Sequence, residues 1–256
     1  MADILASLVA AGPSASWPDH LVESCRRATA VTGAGLALVD HTGVSGVLAA
    51  TAGVGRTLED LQFSLGEGPC TEASGSGRPV LCPDLAADGA GRWPAFALAA
   101  EGAGVSAAFA FPLQVGAIAI GVLDLYRADA GQLPGVQLTE AVAFADAAVA
   151  VLLHLQDGAA TGADGVDGPR VAGLVDLVDR RAVVHQATGM VSVQLGIDLV
   201  GALRRLRAHA WAQDRALGGV AADVVARRLR FDHSENGTAE GTGVRDAGPG
   251  PGGEPA

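Results

Sequence analysis

Residues 105–127 read VSAAFAFPLQVGAIAIGVLDLYR, and this stretch decides the fold. It divides at Gln114-Val115-Gly116 into two apolar runs of strand length, so the chain reverses there. On the return run, Ile118, Ile120 and Val122 are expected on one side and Leu123 and Leu125 on the other. A strand that is apolar on both sides must have both faces covered. The hairpin is therefore expected at the centre of a buried sheet.

Working outward, residues 35–40 (GLALVD), 46–51 (GVLAAT) and 79–82 (PVLC) are strand-like, with His41-Thr42-Gly43 as the turn between the first two. Residues 19–32 carry Leu21, Val22, Cys25, Ala28 and Ala30 at helical spacing, and Gly33 is suited to end that helix in a left-handed conformation. Gly66-Glu67-Gly68-Pro69 reads as a turn opening a short helix that holds Cys70. Behind the hairpin, residues 136–156 predict a long helix with Val142, Ala145, Val149, Leu152 and Leu153 on one stripe. Helix, strands, short helices, hairpin and helix in that order predict an α+β sandwich with an antiparallel sheet, not a doubly wound parallel one.

Residues 157–169 (DGAATGADGVDGP) have linker composition, with a coil reach of roughly 20 Å. Residues 232–256, rich in Gly, Pro, Glu and Thr, read as a disordered tail. The expected division is an N-terminal segment 1–17, a sensor-like domain 18–156, the linker 157–169, a helical domain 170–231 and the tail. The helical domain carries no strand signal. Residues 170–195 read as one helix of about 39 Å. Gly196 closes it, Asp198 is the candidate N-cap of a second helix over 199–215, and Gly218-Gly219 breaks the chain before a third helix at 220–230.

The net charge of −11 hides an uneven distribution. Residues 1–160 hold 16 Asp/Glu and 6 Arg, whereas 170–231 hold 5 Asp and 10 Arg, so the second domain is net +5. Such asymmetry points to an anionic partner for one half. The chain contains no lysine, so each cationic site is a guanidinium, whose fork can donate two hydrogen bonds to one phosphate. Aromatics are only 4% of residues, so the cores must be built from Ala, Val and Leu.

Asp3 stands where a signal peptide would carry basic residues, and no apolar stretch of about 20 residues lacks charge. Three cysteines (Cys25, Cys70, Cys82) fall at no metal-ligand spacing, so a reduced, cytoplasmic setting is expected. No P-loop, HExxH, nucleophile elbow or complete GxGxxG occurs, and the six histidines are scattered. No catalytic residue, metal site or cofactor is assigned, and the chain is not expected to be an enzyme. Cys70 and Cys82 are either a redox pair or, as free cysteines usually are, small core residues. Trp93 either lines a pocket or plugs the sheet edge.

Several motifs now combine. Leu61-Gln62, Gly66-Glu67-Gly68-Pro69-Cys70, Gly77-Arg78-Pro79-Val80, Asp84-Leu85, Arg92-Trp93-Pro94, Phe111-Pro112-Leu113 and Gly121-Val122-Leu123 together resemble a GAF domain of the actinobacterial type. The resemblance implies a six-stranded antiparallel sheet between helices, used to sense a small molecule or to dimerise. Cys70, Cys82, Trp93 and Phe111 become ligand-pocket candidates. Arg181, His185-Gln186-Ala187-Thr188-Gly189-Met190, Leu195-Gly196, Ala202-Leu203, Leu206-Arg207 and Ala210 resemble an ANTAR domain. That family is a three-helix module that binds RNA hairpins and prevents transcription termination. Carried over, the RNA-binding candidates are Arg181, His185, Gln186, Ala187, Thr188, Gly189, Arg204 and Arg207. The chain departs from the family at Thr188, where Lys is frequent, and at Leu203 and His209, near which aromatics are favoured.

Together these readings imply a homodimeric regulator of transcription that binds hairpin RNA and answers to an unidentified small-molecule effector. The alternatives are a DNA-binding regulator, for which the first helix is too long, and an interaction module that touches no nucleic acid. In the latter, the arginines would form a solvated face paired with Asp176, Asp179 and Asp223.

Overall fold

A computed structural model describes residues 1–40, 43–161 and 172–232. Helix α1 (Ala2–Ala11) leads into α2 (Trp17–Ala28), which has Pro18 in its first turn with Asp19, and Arg26 and Arg27 in its last. Those charges complement the helix dipole. The helix ends at Ala28, short of the expected Gly33, and Gly33 instead opens β1 (Gly33–Asp40). The chain is turned by Ala30 at φ 50, with Val31 N–H donating to Arg26 C=O (3.1 Å) and Ala30 N–H to Arg27 C=O (3.3 Å). This is the double bond of a Schellman end, with alanine where glycine is usual.

Strand β2 (Gly43–Ala50) pairs back on β1; of the turn expected between them, His41 and Thr42 lie outside the described residues. Then come α3 (Val54–Leu65), α4 (Pro69–Ser76), β3 (Val80–Cys82) and α5 (Pro94–Gly102). The hairpin follows as β4 (Ala107–Val115) and β5 (Ile118–Arg127), and α6 (Gly135–Thr161) closes the domain. The described sheet is antiparallel with five strands in the order β2-β1-β5-β4-β3, one fewer than the family resemblance implied. Between β3 and β4 the chain is drawn into helical turns instead. There the Asp84 carboxylate accepts from Ala87 N–H at 3.0 Å, and α5 follows.

β5 is the central strand and is covered on both faces, as the hairpin reading required. Leu123 and Leu125 point into one core with Leu21, Leu36, Phe144 and Val151, against α2 and α6. Val122 and Tyr126 point into the other with Leu58, Cys70 and Phe96, against α3, α4 and α5. One part of the expected alternation fails. Leu113 pairs with Gly121 but Gln114 with Ala119, so Ile120 is the extra residue of a β-bulge. The bulge turns Ile120 toward the Leu123 side, and Ile118 is left exposed beyond it.

Helix α6 meets the length and apolarity of a membrane-crossing helix, yet its Ala141, Phe144, Ala148, Val151 and Leu152 are buried in the first core. It runs to Thr161, five residues into the segment expected to be a coil linker. Alanine, Thr and a single Gly at 157–161 do not interrupt an established helix. Residues 162–169 and the tail from 233 lie outside the described residues.

The second domain is helical throughout its described part: α7 (Ala172–Leu195), α8 (Leu199–Ala212) and α9 (Leu217–Val225). Gly196 ends α7 with φ 59, and Asp198 caps α8 by accepting from Gly201 N–H at 2.7 Å. Gly218-Gly219 does not break the chain; both residues lie in the first turn of α9, and Gly219 N–H donates to Ala216 C=O at 3.0 Å. Arg227, Arg228 and Arg230 consequently fall beyond α9 rather than on it. Val184, Val191, Leu206, Val220 and Val224 form the bundle core, and Phe63 of α3 packs into it.

Candidate functional site

The sensor domain holds a buried polar cluster that the sequence reading did not single out. Asp124 lies inside the otherwise apolar β5 and faces α3 and α4. Around it are Glu59 and Gln62 of α3, Cys70 of α4, and Tyr126, the next residue but one on its own strand face. The Tyr126 hydroxyl donates to Glu59 Oε1 (2.7 Å) and accepts from Gln62 Nε2 (2.8 Å), while Gln62 Oε1 accepts from Cys70 N–H (2.8 Å). Gly35 on β1 makes room for the carboxylate, since a Cβ there would come within 2.1 Å of Glu59 Oε1. Neither oxygen of Asp124 has a hydrogen-bond partner among the described residues.

Burial without compensation disfavours the charged form of an acid. It pushes Asp124 up to about 7, against a weaker downward pull from Cys70, Gln62 and Glu59. Burial likewise pushes the Cys70 thiol and the Tyr126 hydroxyl well above their ordinary values, helped by the neighbouring carboxylates. The arrangement can hold or release a proton near neutrality.

The four ligand-pocket candidates do not meet in one place. Cys70, Cys82 and Trp93 share the α3–α5 side of the sheet, whereas Phe111 lies on the α2–α6 side among Leu113, Leu123 and Phe144. Strand alternation separates them, because Phe111 and its neighbour Ala110 point to opposite faces. Trp93 is buried edge-on to Phe96 and is part of the core packing, with the Arg92 guanidinium 4.3 Å from its ring centroid. All three cysteines are free and buried, and burial pushes Cys25 up to about 12. Among the described residues, no cluster of three or more His, Cys, Asp or Glu could hold a metal ion.

In the helical domain the candidate RNA-binding residues separate into three groups. Ala187 and Thr188 are buried, and the Thr188 hydroxyl donates to Val184 C=O (2.7 Å), so these side chains serve the bundle. His185 and Gln186 are exposed on α7, and Gly189 is open, with no atom within 4 Å of where a Cβ would stand. Arg181 also lies on α7, and its side chain is outside the described residues.

Arg204 and Arg207 of α8 face the sensor domain. With Glu67, Trp211 and Arg215 they border a cleft of about 400 Å³ between the two domains. Arg207 Nε donates to Phe63 C=O (3.0 Å), and its guanidinium sits 5.5 Å from the Phe63 ring centroid. Gly66, at φ 70, ends α3 beside it; a Cβ there would come within 2.6 Å of Arg207 Nη1. This contact was not legible in the sequence, because its partners lie 144 residues apart. Asp223 pairs with Arg215 (2.5 Å) and Arg228 (2.7 Å), so part of the basic charge is spent within the module.

Residues 19–157 match the GAF domain, and the chain belongs to that family. Solved structures similar to it include the GAF domain of an Acinetobacter phosphoenolpyruvate-protein phosphotransferase (14% identity, 62% of this chain and 92% of that one, TM-score 0.48). A second is the corresponding domain from Coxiella burnetii (15% identity, 62% and 93%, TM-score 0.47). A third is the second GAF domain of DevS from Mycobacterium smegmatis (16% identity, 58% and 99%, TM-score 0.43). No curated protein matches the chain. The GAF domain is a ligand-sensing signalling module, and that class is the one this fold defines.

Proposed function

We propose that the chain is a signal-responsive regulator of transcription whose helical domain binds RNA hairpins and acts by antitermination. The observation that carries this reading is the module itself: three helices, joined to a GAF domain, over a segment with 10 Arg against 5 Asp. The ANTAR-like run from Arg181 to Met190 and the Leu206-Arg207 pair support it. The alternatives of a DNA-binding regulator and a pure interaction module gain no specific support.

In this reading a small-molecule effector acts on the GAF domain of a cytoplasmic homodimer. Val142 and Leu153, exposed on one face of α6, are suited to the dimer contact. The signal reaches the RNA-binding module through the Phe63–Arg207 contact, which holds one candidate phosphate ligand against the sensor. Gel-shift titration of the full chain against hairpin RNA and matched duplex DNA tests the reading. Salt-sensitive binding that prefers the hairpin is expected. Equal or stronger binding to duplex DNA, or none to either, would sink it.

A further inference from the structure

We propose that the RNA backbone lies in the groove between α7 and the segment after α9, held by Arg227 and Arg230. This deepens the RNA-binding reading and rests on it. The groove is about 660 Å³, with Gln186, Gly189, Val193 and Gln194 on one wall and Arg227 and Arg230 on the other.

Its charge is of one sign. No carboxylate lines it among the described residues. The nearest pairing, Arg230 Nε to Asp232 at 3.7 Å, joins two side chains that are both more than two-thirds exposed, a geometry that contributes little in water. Arg228, between them in sequence, is instead tied to Asp223 by Nε at 2.8 Å. Three arginines that are equivalent in sequence are therefore unequal in space: one is neutralised and two face the groove. Gln186, exposed on α7, brings an amide that both donates and accepts, which suits base edges and ribose hydroxyls; Gln194 Oε1 accepts from Phe231 N–H (3.0 Å) and so ties the segment after α9 to α7. The open site at Gly189 lets a backbone approach α7 closely.

The backbone at the edge of the groove makes Arg227 separable from the fold. Helix α9 ends in a Schellman motif, with Arg228 N–H donating to Asp223 C=O (2.8 Å) and Arg227 N–H to Val224 C=O (3.0 Å). The left-handed position of that motif normally carries glycine. Here it carries Arg227 at φ 59, exposed to solvent, at a cost of roughly 1 kcal/mol. An exposed side chain contributes no core packing to offset that cost. The opposite basic face, with Arg204 and Arg207, is turned toward the sensor.

The test uses the full chain and a pool of synthetic RNA hairpins with randomised loops, titrated by filter binding over a range of salt. The variants are Arg227→Gly, Arg230→Gln, their combination, and Arg204→Gln on the cleft side. Arg227→Gly is expected to keep or raise the thermal midpoint while weakening RNA binding several-fold, so lost affinity cannot be ascribed to unfolding. The double variant is expected to bind with a log–log salt slope shallower by roughly 2, about 1 for each lost phosphate contact. Arg204→Gln is expected to change the slope by less than either groove variant does. Unchanged affinity and slope in the double variant, with the wild type binding normally, would overturn the groove and leave the RNA reading intact. A loss confined to Arg204→Gln would place the RNA in the cleft and overturn it as well. Failure of the wild type to bind the pool at low salt would remove the RNA reading and the groove together.

Discussion

Replacing Phe63 by alanine is expected to loosen the two domains from each other, because it empties the place this side chain fills in the helical bundle and leaves the sensor's own cores intact. The ring is 5% exposed, and its surroundings are the bundle residues of the helical domain rather than the sensor's own cores. Truncating a buried phenylalanine costs about 3–5 kcal/mol. The cation–π contact with Arg207 is about 0.5–1 kcal/mol of that total at a partly exposed site. The hydrogen bond from Arg207 Nε ends on the Phe63 backbone carbonyl, so the substitution leaves its acceptor in place. A loss of about 3 kcal/mol lowers the ratio of docked to undocked chains by roughly 100-fold. Hydrogen exchange read by mass spectrometry is the assay. Faster exchange is expected in peptides covering 61–66 and α8, with unchanged protection across β4 and β5. Equal loss of protection in β5 would show that Phe63 supports the sensor core. No change in either region would show that it does not hold the domains together.

Asp124→Asn probes the buried cluster. The folded carboxyl sits at about 7 against 3.8 in the unfolded chain, so the folded state binds the extra proton between those values. Stability is therefore expected to fall as pH rises from 4 to 7, by at most on the order of 4 kcal/mol, and to be level above that. The asparagine variant should lose this slope in urea unfolding at pH 5 and pH 8, and parallel behaviour of the two proteins would contradict the assignment. Asp198→Ala removes the cap of α8 and should cost about 1 kcal/mol in the same unfolding assay, whereas an unchanged midpoint would show the cap to be idle. Cys25 and Cys70, both buried with thiols pushed up by burial, should resist a thiol-reactive dye until the chain unfolds. Labelling of Cys70 in the folded protein would reopen the redox reading.

The hairpin was legible because a centrally placed strand needs two apolar faces, and residues 118–127 carry both. The bulge at Ile120 was not, since it is a property of the pairing between β4 and β5 rather than of either strand alone. Residue type misled at two chain reversals. Gly33 looked like the helix stop, but Ala30 adopts the left-handed turn; Gly218-Gly219 looked like a break, but a helix start tolerates glycine. Asp124 was visible as a lone carboxylate in an apolar strand. Its neighbours were not, because Glu59 and Gln62 reach Tyr126 across 67 and 64 residues of chain. The carried-over RNA-binding residues formed one set in sequence. The helix period sends Ala187 and Thr188 inward, Gln186 and Gly189 outward, and places Arg207 against the other domain.

Helix α3 joins the two regions where chemistry is concentrated. One side of it carries Glu59 and Gln62 into the buried cluster beneath Asp124 and Tyr126. The next residue, Phe63, enters the helical bundle, and one turn further Gly66 admits Arg207. Adjacent residues on a helix point about 100° apart, so Gln62 and Phe63 cannot both keep their contacts if α3 rotates or slides. Closely packed cores resist continuous deformation, which makes such a shift a change between discrete arrangements. A change in charge at Asp124 that moved α3 would therefore disturb how Arg207 is held. This route is short, and it passes through packed helix rather than through the glycine-rich segment after α6.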